Sequence, residues 1–318
     1  MPHLTLNNGD RMPALGLGTW KASQDTVTAA VQHALKVGYQ HIDCAPIYMN
    51  EKSVGAALQH CLATNVIHRD NLWVTSKLWN SFHEPDQVQA ALKDTLHYLR
   101  LDHLDAYLIH WPVATKRSCQ YRHAQSGSDY IALSDLPLAD TWSAMIECQQ
   151  AGLCRHIGVS NCSETKIDQL ITATGIAPSI NQVECHPYLN QHALRQYCQQ
   201  HRIALTAYSP LGSGDRPQSF KADDEPSLLE HPLIMQIAAQ HQATAAQVLI
   251  QWSIKQNQAV IPKSTHFERI EQNRAALDLS LSAEELDQIN QLNINYRFIK
   301  GTFFTIDGSP YSIESLWS

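Results

Sequence analysis

The feature that most constrains this chain is an alternation of two periods, repeated from one end to the other. Short runs that read as strands give way to stretches whose apolar residues recur at helical spacing. Strand candidates are Leu15–Trp20, His41–Ala45, Leu72–Leu78, Leu104–His110, His156–Asn161, Ile180–Glu184, Ala204–Pro210 and Ala259–Lys263. Between them, Val27, Val31, Ala34 and Leu35 share one helical face, with Gly38 placed where a terminating glycine belongs. Val88, Leu92, Leu96 and Leu99 share another, and Ile167, Leu170 and Ile171 a third, ended by Gly175. Thr265-His-Phe-Glu268 and Ser282-Ala-Glu-Glu285 read as capping boxes that open the last helices.

Strands alternating with helices imply parallel pairing and right-handed crossovers. Eight such units in 318 residues, with no linker or change of composition, point to a single α/β domain spanning 1–318. The expected architecture is a closed (β/α)8 TIM barrel, with an open doubly wound sheet as the competing arrangement. Ahead of the first unit, Leu4–Met12 flanks an Asn-Gly turn and predicts a β-hairpin. Two polar inserts, Val113–Leu138 and Ser213–Glu230, follow strand ends and would overhang the same mouth.

Composition narrows the function. A formal net charge of -7 without a basic run argues against nucleic acid as a partner. No apolar stretch is long enough to span a bilayer, and the first residues are neither basic nor apolar in the manner of a secretory signal. Eight cysteines without a Cys-x-x-Cys pair read as reduced, buried thiols, so a cytoplasmic protein is expected. Gly16-Leu-Gly18 continues as Thr-Trp-Lys, which fails the dinucleotide fingerprint of Rossmann enzymes. Despite 17 histidines there is no His-x-His or His-Glu-x-x-His, so no metal is expected.

Asp43, Tyr48, Lys77 and His110 stand at or just past the ends of successive strand candidates. In a parallel barrel those positions meet at one rim, and together they suit reduction of a carbonyl group. A phenol with a pKa of roughly 10 becomes a better acid beside an ammonium group such as Lys77. Asp43 would hold that lysine charged, and a neutral His110 would orient the carbonyl oxygen. The hydride must come from a cofactor, because no side chain supplies one. Singly, each residue has a plainer structural role open to it; the placement of all four carries the argument.

The strings Gly18-Thr-Trp20, His41-Ile-Asp-Cys-Ala-Pro-Ile-Tyr48 with Asn50-Glu51, Thr75-Ser-Lys77-Leu-Trp79, Leu108-Ile-His110-Trp-Pro112, Gly158-Val-Ser-Asn161 and Ile261-Pro-Lys-Ser264 resemble the aldo-keto reductase family. The resemblance runs from the hairpin to Asn273. It implies a barrel whose base is closed by the amino-terminal hairpin and whose mouth is crossed by the carboxyl-terminal tail. It implies an Asp/Tyr/Lys/His tetrad at Asp43, Tyr48, Lys77 and His110, NADP(H) as cofactor, a small carbonyl compound as substrate, and a monomer. Ser160, Asn161 and Gln182 would meet the nicotinamide carboxamide, and Tyr208 would stack under its ring beside Trp20. Ser209, Leu211, Ser213 and Asp215 would cover the pyrophosphate. Lys263, Ser264 and Arg269 would grip the 2′-phosphate and Asn273 the adenine, with Gln272 where close relatives carry glutamate. Trp20, Trp79 and Trp111, with Tyr48 and His110, would line the substrate pocket. A cofactor-binding protein of regulatory or structural type on the same scaffold is the alternative from another class.

Overall fold

The computed structural model describes residues 1–216, 218, 221–222 and 224–318. Eight parallel strands pair in the order of the chain: β1 (Leu17–Gly18), β2 (His41–Asp43), β3 (Trp73–Leu78), β4 (Leu104–Ile109), β5 (Cys154–Ser160), β6 (Ile180–Glu184), β7 (Ala204–Tyr208) and β8 (Ala259–Val260). The first and last strands meet through parallel bridges Leu15–Val260 and Gly18–Lys263. Gly16 N donates to Val260 O (2.9 Å), Val260 N to Ala14 O (2.8 Å) and Gly18 N to Pro262 O (3.1 Å). The barrel is therefore closed. A Cβ on Gly18 would lie 2.8 Å from Ile261 O, so any other residue would prise this seam apart.

Several strands are shorter than the runs that announced them. β2 ends at Asp43, shortly before the turn Pro46–Tyr48, and β8 at Val260.

The helices follow from spacing and caps. Helix α1 (Gln24–Lys36) starts at Ser23, whose side chain accepts from Thr26 N, and buries Val27, Ala30, Val31, Ala34 and Leu35. Each such side chain contributes about 1.5–3 kcal/mol when fully buried, less for alanine. Gly38 follows with φ +96°, the left-handed step that lets the chain turn into β2. Then come α2 (Glu51–Ala63), α3 (Pro85–Leu99), α4 (Leu138–Gln150), α5 (Glu164–Thr174, ended by left-handed Gly175) and α6 (His192–Gln200). Strand β7 is followed by α7 (Pro232–Gln240) and α8 (Ala245–Lys255), and β8 by α9 (Phe267–Ala275) and α10 (Ala283–Asn290). The Ser282 capping box forms, with Glu285 as its reciprocal partner. The one expected at Thr265 does not: α9 begins after His266 without a side-chain cap. Ser264 Oγ instead accepts from His266 N (3.1 Å), which shifts the start and frees Glu268 to receive Gln272 Nε2 (3.4 Å).

The hairpin pairs His3–Thr5 with Arg11–Pro13. Its Leu4, Leu6 and Met12 pack with Trp73, Ala106, Leu108, Ile180, Ala204 and Ala259, plugging the amino ends of the strands. Only the opposite end is open. There the first insert folds into a small hairpin, Ala114–Thr115 with Tyr130–Ile131, and the tail crosses it. Tyr311 Oη accepts from Ala114 N (2.8 Å) and donates to Ile131 O (2.7 Å). The tail ends in a short helix, α11 (Ile313–Trp317). All eight cysteines are buried and unpaired. Among the described residues no helix is long and apolar enough to cross a membrane.

Candidate active site

Asp43 is the last residue of β2, and Tyr48 closes a single turn, Pro46–Tyr48, that follows it. Left-handed Met49 (φ 56°) ends the turn, and Asn50 Nδ2 anchors it by donating to Thr19 O and Ala22 O, both at 2.9 Å. Lys77 points into the barrel from β3 and is completely buried. Its Nζ donates to Asp43 Oδ1 (2.5 Å) and Cys44 O (2.9 Å), and lies 5.4 Å from the centre of the Tyr48 ring. His110, just past β4, stands edge-on to Tyr48, with ring centres 5.9 Å apart. The four residues do meet at one rim.

The protonation states differ in one respect from the expectation for Tyr48. Desolvation pushes its phenol well above the usual range, and the nearby Asp43, Cys44 and Glu51 push the same way. Asp43, paired with Lys77, opposes the lowering expected from that ammonium. Tyr48 is thus held firmly protonated. His110 is the reverse case: burial, then the charge of Lys77, holds it well below its normal range, so the imidazole is neutral.

Beside this rim the ends of β5, β6, β7 and β8 carry a connected row of polar side chains. Gln182 Nε2 reaches across the barrel to Asp43 Oδ2 (2.7 Å). Ser160 Oγ donates to Gln182 O (2.7 Å), and left-handed Asn161 donates from Nδ2 to His110 O (2.9 Å) and Ser160 Oγ (3.1 Å). Asn161 Oδ1 accepts from Tyr208 Oη (2.7 Å), which leaves that oxygen room for one more donor. The Tyr208 ring is half-buried. Beyond it, Ser209 and Ser213 take left-handed conformations (φ 49° each), with half-buried Leu211 between them.

Asp215 links two lysines, bonded to Lys21 on one side and to Lys263 (2.7 Å) on the other. Desolvation works against ionisation there, yet those two lysines hold the Asp215 carboxyl at about 2. Ser264 and Asn273 are buried at the far end. Arg269 beside them is exposed and has no partner among the described residues.

The aromatic wall is deeper than its sequence suggested. Trp79 and Trp111 are buried, whereas Trp20 lies 37% exposed with Lys21 Nζ 4.1 Å over its ring. The residues that back this wall come from the first insert and from the tail, whose aromatics the sequence shows without their contacts. His123, from the first insert, stands edge-on to Trp79 (5.4 Å), and Trp111 packs against Phe303 (5.8 Å), Phe304 (5.0 Å) and Trp317 (5.7 Å) of the tail. No periodicity marks these positions; the clustering of aromatics after Phe298 was the available signal. Lys21 was missed, although it follows Trp20 at the rim.

A closed eight-stranded barrel with an Asp–Lys pair, a tyrosine and a neutral histidine at its open end defines a class of barrel oxidoreductases. Comparison with known proteins makes the assignment specific. The family model described as aldo/keto reductase matches residues 14–294. An aldo/keto reductase of Synechocystis sp. is 46% identical over 317 residues, covering 100% of this chain and 96% of that protein. Aldo-keto reductase family 1 member A1 of Gallus gallus is 43% identical, covering 96% of this chain and 93% of that one. The solved structure of the aldose reductase from Schistosoma japonicum superimposes with a TM-score of 0.87 at 36% identity, covering 96% of each chain. This chain belongs to the aldo/keto reductase family.

Proposed function

We propose that the protein reduces small aldehydes or ketones to alcohols, with NADPH as hydride donor and Tyr48 as proton donor. The observation that carries this reading is the buried Lys77–Asp43 pair lying beside protonated Tyr48 and neutral His110 at the open end of the barrel.

The residues along these strand ends suit a phosphorylated nicotinamide cofactor. Asn161 keeps acceptor capacity for a carboxamide, and Tyr208 offers a half-buried ring face. Ser213 Oγ is buried without a partner among the described residues. Arg269 is an exposed cation beside the start of α9, where a helix terminus favours an anion. On this reading Ser160, Asn161, Gln182, Tyr208 and Trp20 hold the nicotinamide end and Ser209, Leu211, Ser213 and Asp215 the pyrophosphate. Lys263, Ser264, Arg269 and Asn273 hold the adenosine end. When bound, the cofactor supplies the hydride that no side chain can.

The chain's own groups do the rest. His110, neutral and aimed across the mouth, donates a hydrogen bond that orients the substrate oxygen. Tyr48 gives its proton to that oxygen. Lys77 stabilises the phenolate left behind, and Asp43 and Gln182 hold the lysine and its counter-charge in place. Trp79 and Trp111 exclude water from the reacting carbon.

The test follows NADPH oxidation with a simple aldehyde for native protein and Tyr48→Phe. The variant should bind NADPH as the native protein does while losing roughly 10²–10⁴-fold in turnover, the usual contribution of a general acid. Native protein that binds NADPH yet turns over no faster than the variant would instead be a binding or structural member of the family.

A further inference from the structure

Glu184 ends β6, two residues beyond Gln182 on the same face of the strand, and takes no part in the chemistry above. It is completely buried, a costly place for a carboxylate. Every feature around it compensates that cost, and most of them come from the root of the tail. Its Oε1 accepts from Phe298 N (2.7 Å) and His186 Nε2 (2.8 Å), and its Oε2 accepts from Ile299 N (2.8 Å). Its backbone oxygen accepts from Gln191 Nε2 (2.8 Å). Burial alone would raise the carboxyl, but the hydrogen bond and charge of His186, with Arg297 nearby, hold it below the usual range.

Arg297, Phe298 and the chain beyond Ile299 reach in different directions from this point. The Arg297 guanidinium lies flat on Trp317, 3.5 Å from the ring centre. The Phe298 ring packs on the cofactor-side loop, where a Cβ on Gly212 would sit 3.3 Å from it and the Arg216 guanidinium is 5.2 Å away. Gly212 has φ +88° as well, so neither its conformation nor the room beside Phe298 welcomes a side chain. Downstream of Ile299, Phe303, Phe304 and Trp317 back Trp111.

We propose that Glu184 is a specificity-determining latch: it touches no substrate, but by clamping two consecutive tail N–H groups it fixes the aromatic wall against which the larger part of a carbonyl substrate must fit. The inference rests on the functional reading above, which makes the Trp111 side the substrate wall. Two adjacent donors need two acceptor oxygens on one rigid group. Glutamine offers only one oxygen and turns an NH2 group toward an N–H.

The experiment compares native protein, Glu184→Gln and Glu184→Asp by hydrogen exchange and by kinetics with propanal and 4-nitrobenzaldehyde. In Glu184→Gln the amides of Phe298, Ile299, Phe303 and Phe304 should exchange roughly tenfold faster or more, the size of one lost hydrogen bond to a charged group. Barrel-strand amides should not change. kcat/KM should fall roughly tenfold for the aromatic aldehyde, through KM, and stay within about twofold for propanal. Glu184→Asp keeps the charge with a shorter reach and should lie between. If the glutamine variant does not fold, the aspartate variant carries both readouts. Unchanged tail exchange in a folded variant overturns the latch, and an equal loss with both aldehydes overturns its role in specificity. Native protein inert toward both aldehydes would overturn the functional reading, and the specificity role with it, while accelerated tail exchange would still establish the latch.

Discussion

Replacing Lys77 by methionine keeps an unbranched stem in place and deletes its charge. Lys77 is fully buried, 2.5 Å from Asp43. Without it the Asp43 carboxylate stays in the barrel with Gln182 (2.7 Å) as its remaining side-chain donor. Removing one partner of a buried pair costs about 3–5 kcal/mol, because the other charge is stranded. Set against a total stability of about 5–15 kcal/mol, that is a large fraction. Catalysis should suffer as well. The phenolate of Tyr48 would lose its nearest cation, so turnover should drop by roughly 10²–10⁴-fold. The double variant Lys77→Met/Asp43→Asn separates the two effects: with no charge stranded, most of the lost stability should return, to within about 1–2 kcal/mol of native, while activity stays lost. Urea unfolding followed by tryptophan fluorescence, together with NADPH oxidation, reads both quantities. A single variant as stable as native protein, a double variant no more stable than the single, or unimpaired turnover would each refute this account of the pair.

Arg269→Ala should leave stability within about 0.5 kcal/mol, since the side chain is exposed and unpartnered among the described residues. The same change should raise KM for NADPH roughly tenfold and leave KM for NADH unaltered; an unchanged NADPH value removes its role. Asp215→Asn should loosen the bridge from Lys21 to Lys263 and speed NADPH release several-fold in stopped-flow fluorescence. Because its carboxyl is held at about 2, below the unfolded value, the native bridge persists above that range and is lost only as pH falls through it. NADPH release that accelerated between about pH 7 and 5 because of this group would contradict that assignment. His110 acts in the same sense at higher pH: the unfolded chain takes up a proton near pH 6.5 that the folded site refuses, so stability falls as pH falls. His110→Asn should therefore flatten the decline in urea midpoint from about pH 7 to 5, and an unaltered slope would show that His110 protonates in the fold.

How much of this was legible before folding can be judged residue by residue. The strand runs His41–Ala45, Leu72–Leu78 and Leu104–His110, which carry Asp43, Lys77 and His110 near their ends, were readable because parallel strands put their carboxyl ends on one side. The helix faces of α1, α3 and α5 were readable because burial imposes a 3.6-residue period. The Thr265 capping box misled, since a local pattern was overruled by Ser264, whose position is set by the turn out of β8. His123, Phe303, Phe304 and Glu184 were not legible as partners. Each acts through a neighbour far away in sequence, and a non-periodic insert or tail leaves no local trace of its contacts.

The sequence by itself determined that eight strand–helix units follow one another, and which side chains stand at the ends of the strands. Both follow from period and chain order, which are local properties. Only the tertiary structure decided what those side chains are. Burial and neighbouring carboxylates push the Tyr48 phenol above its usual range. Asp215 bridges two lysines, and a buried glutamate clamps the tail. Those outcomes depend on desolvation and on which charges lie within a few ångströms of each other, and only packing sets these.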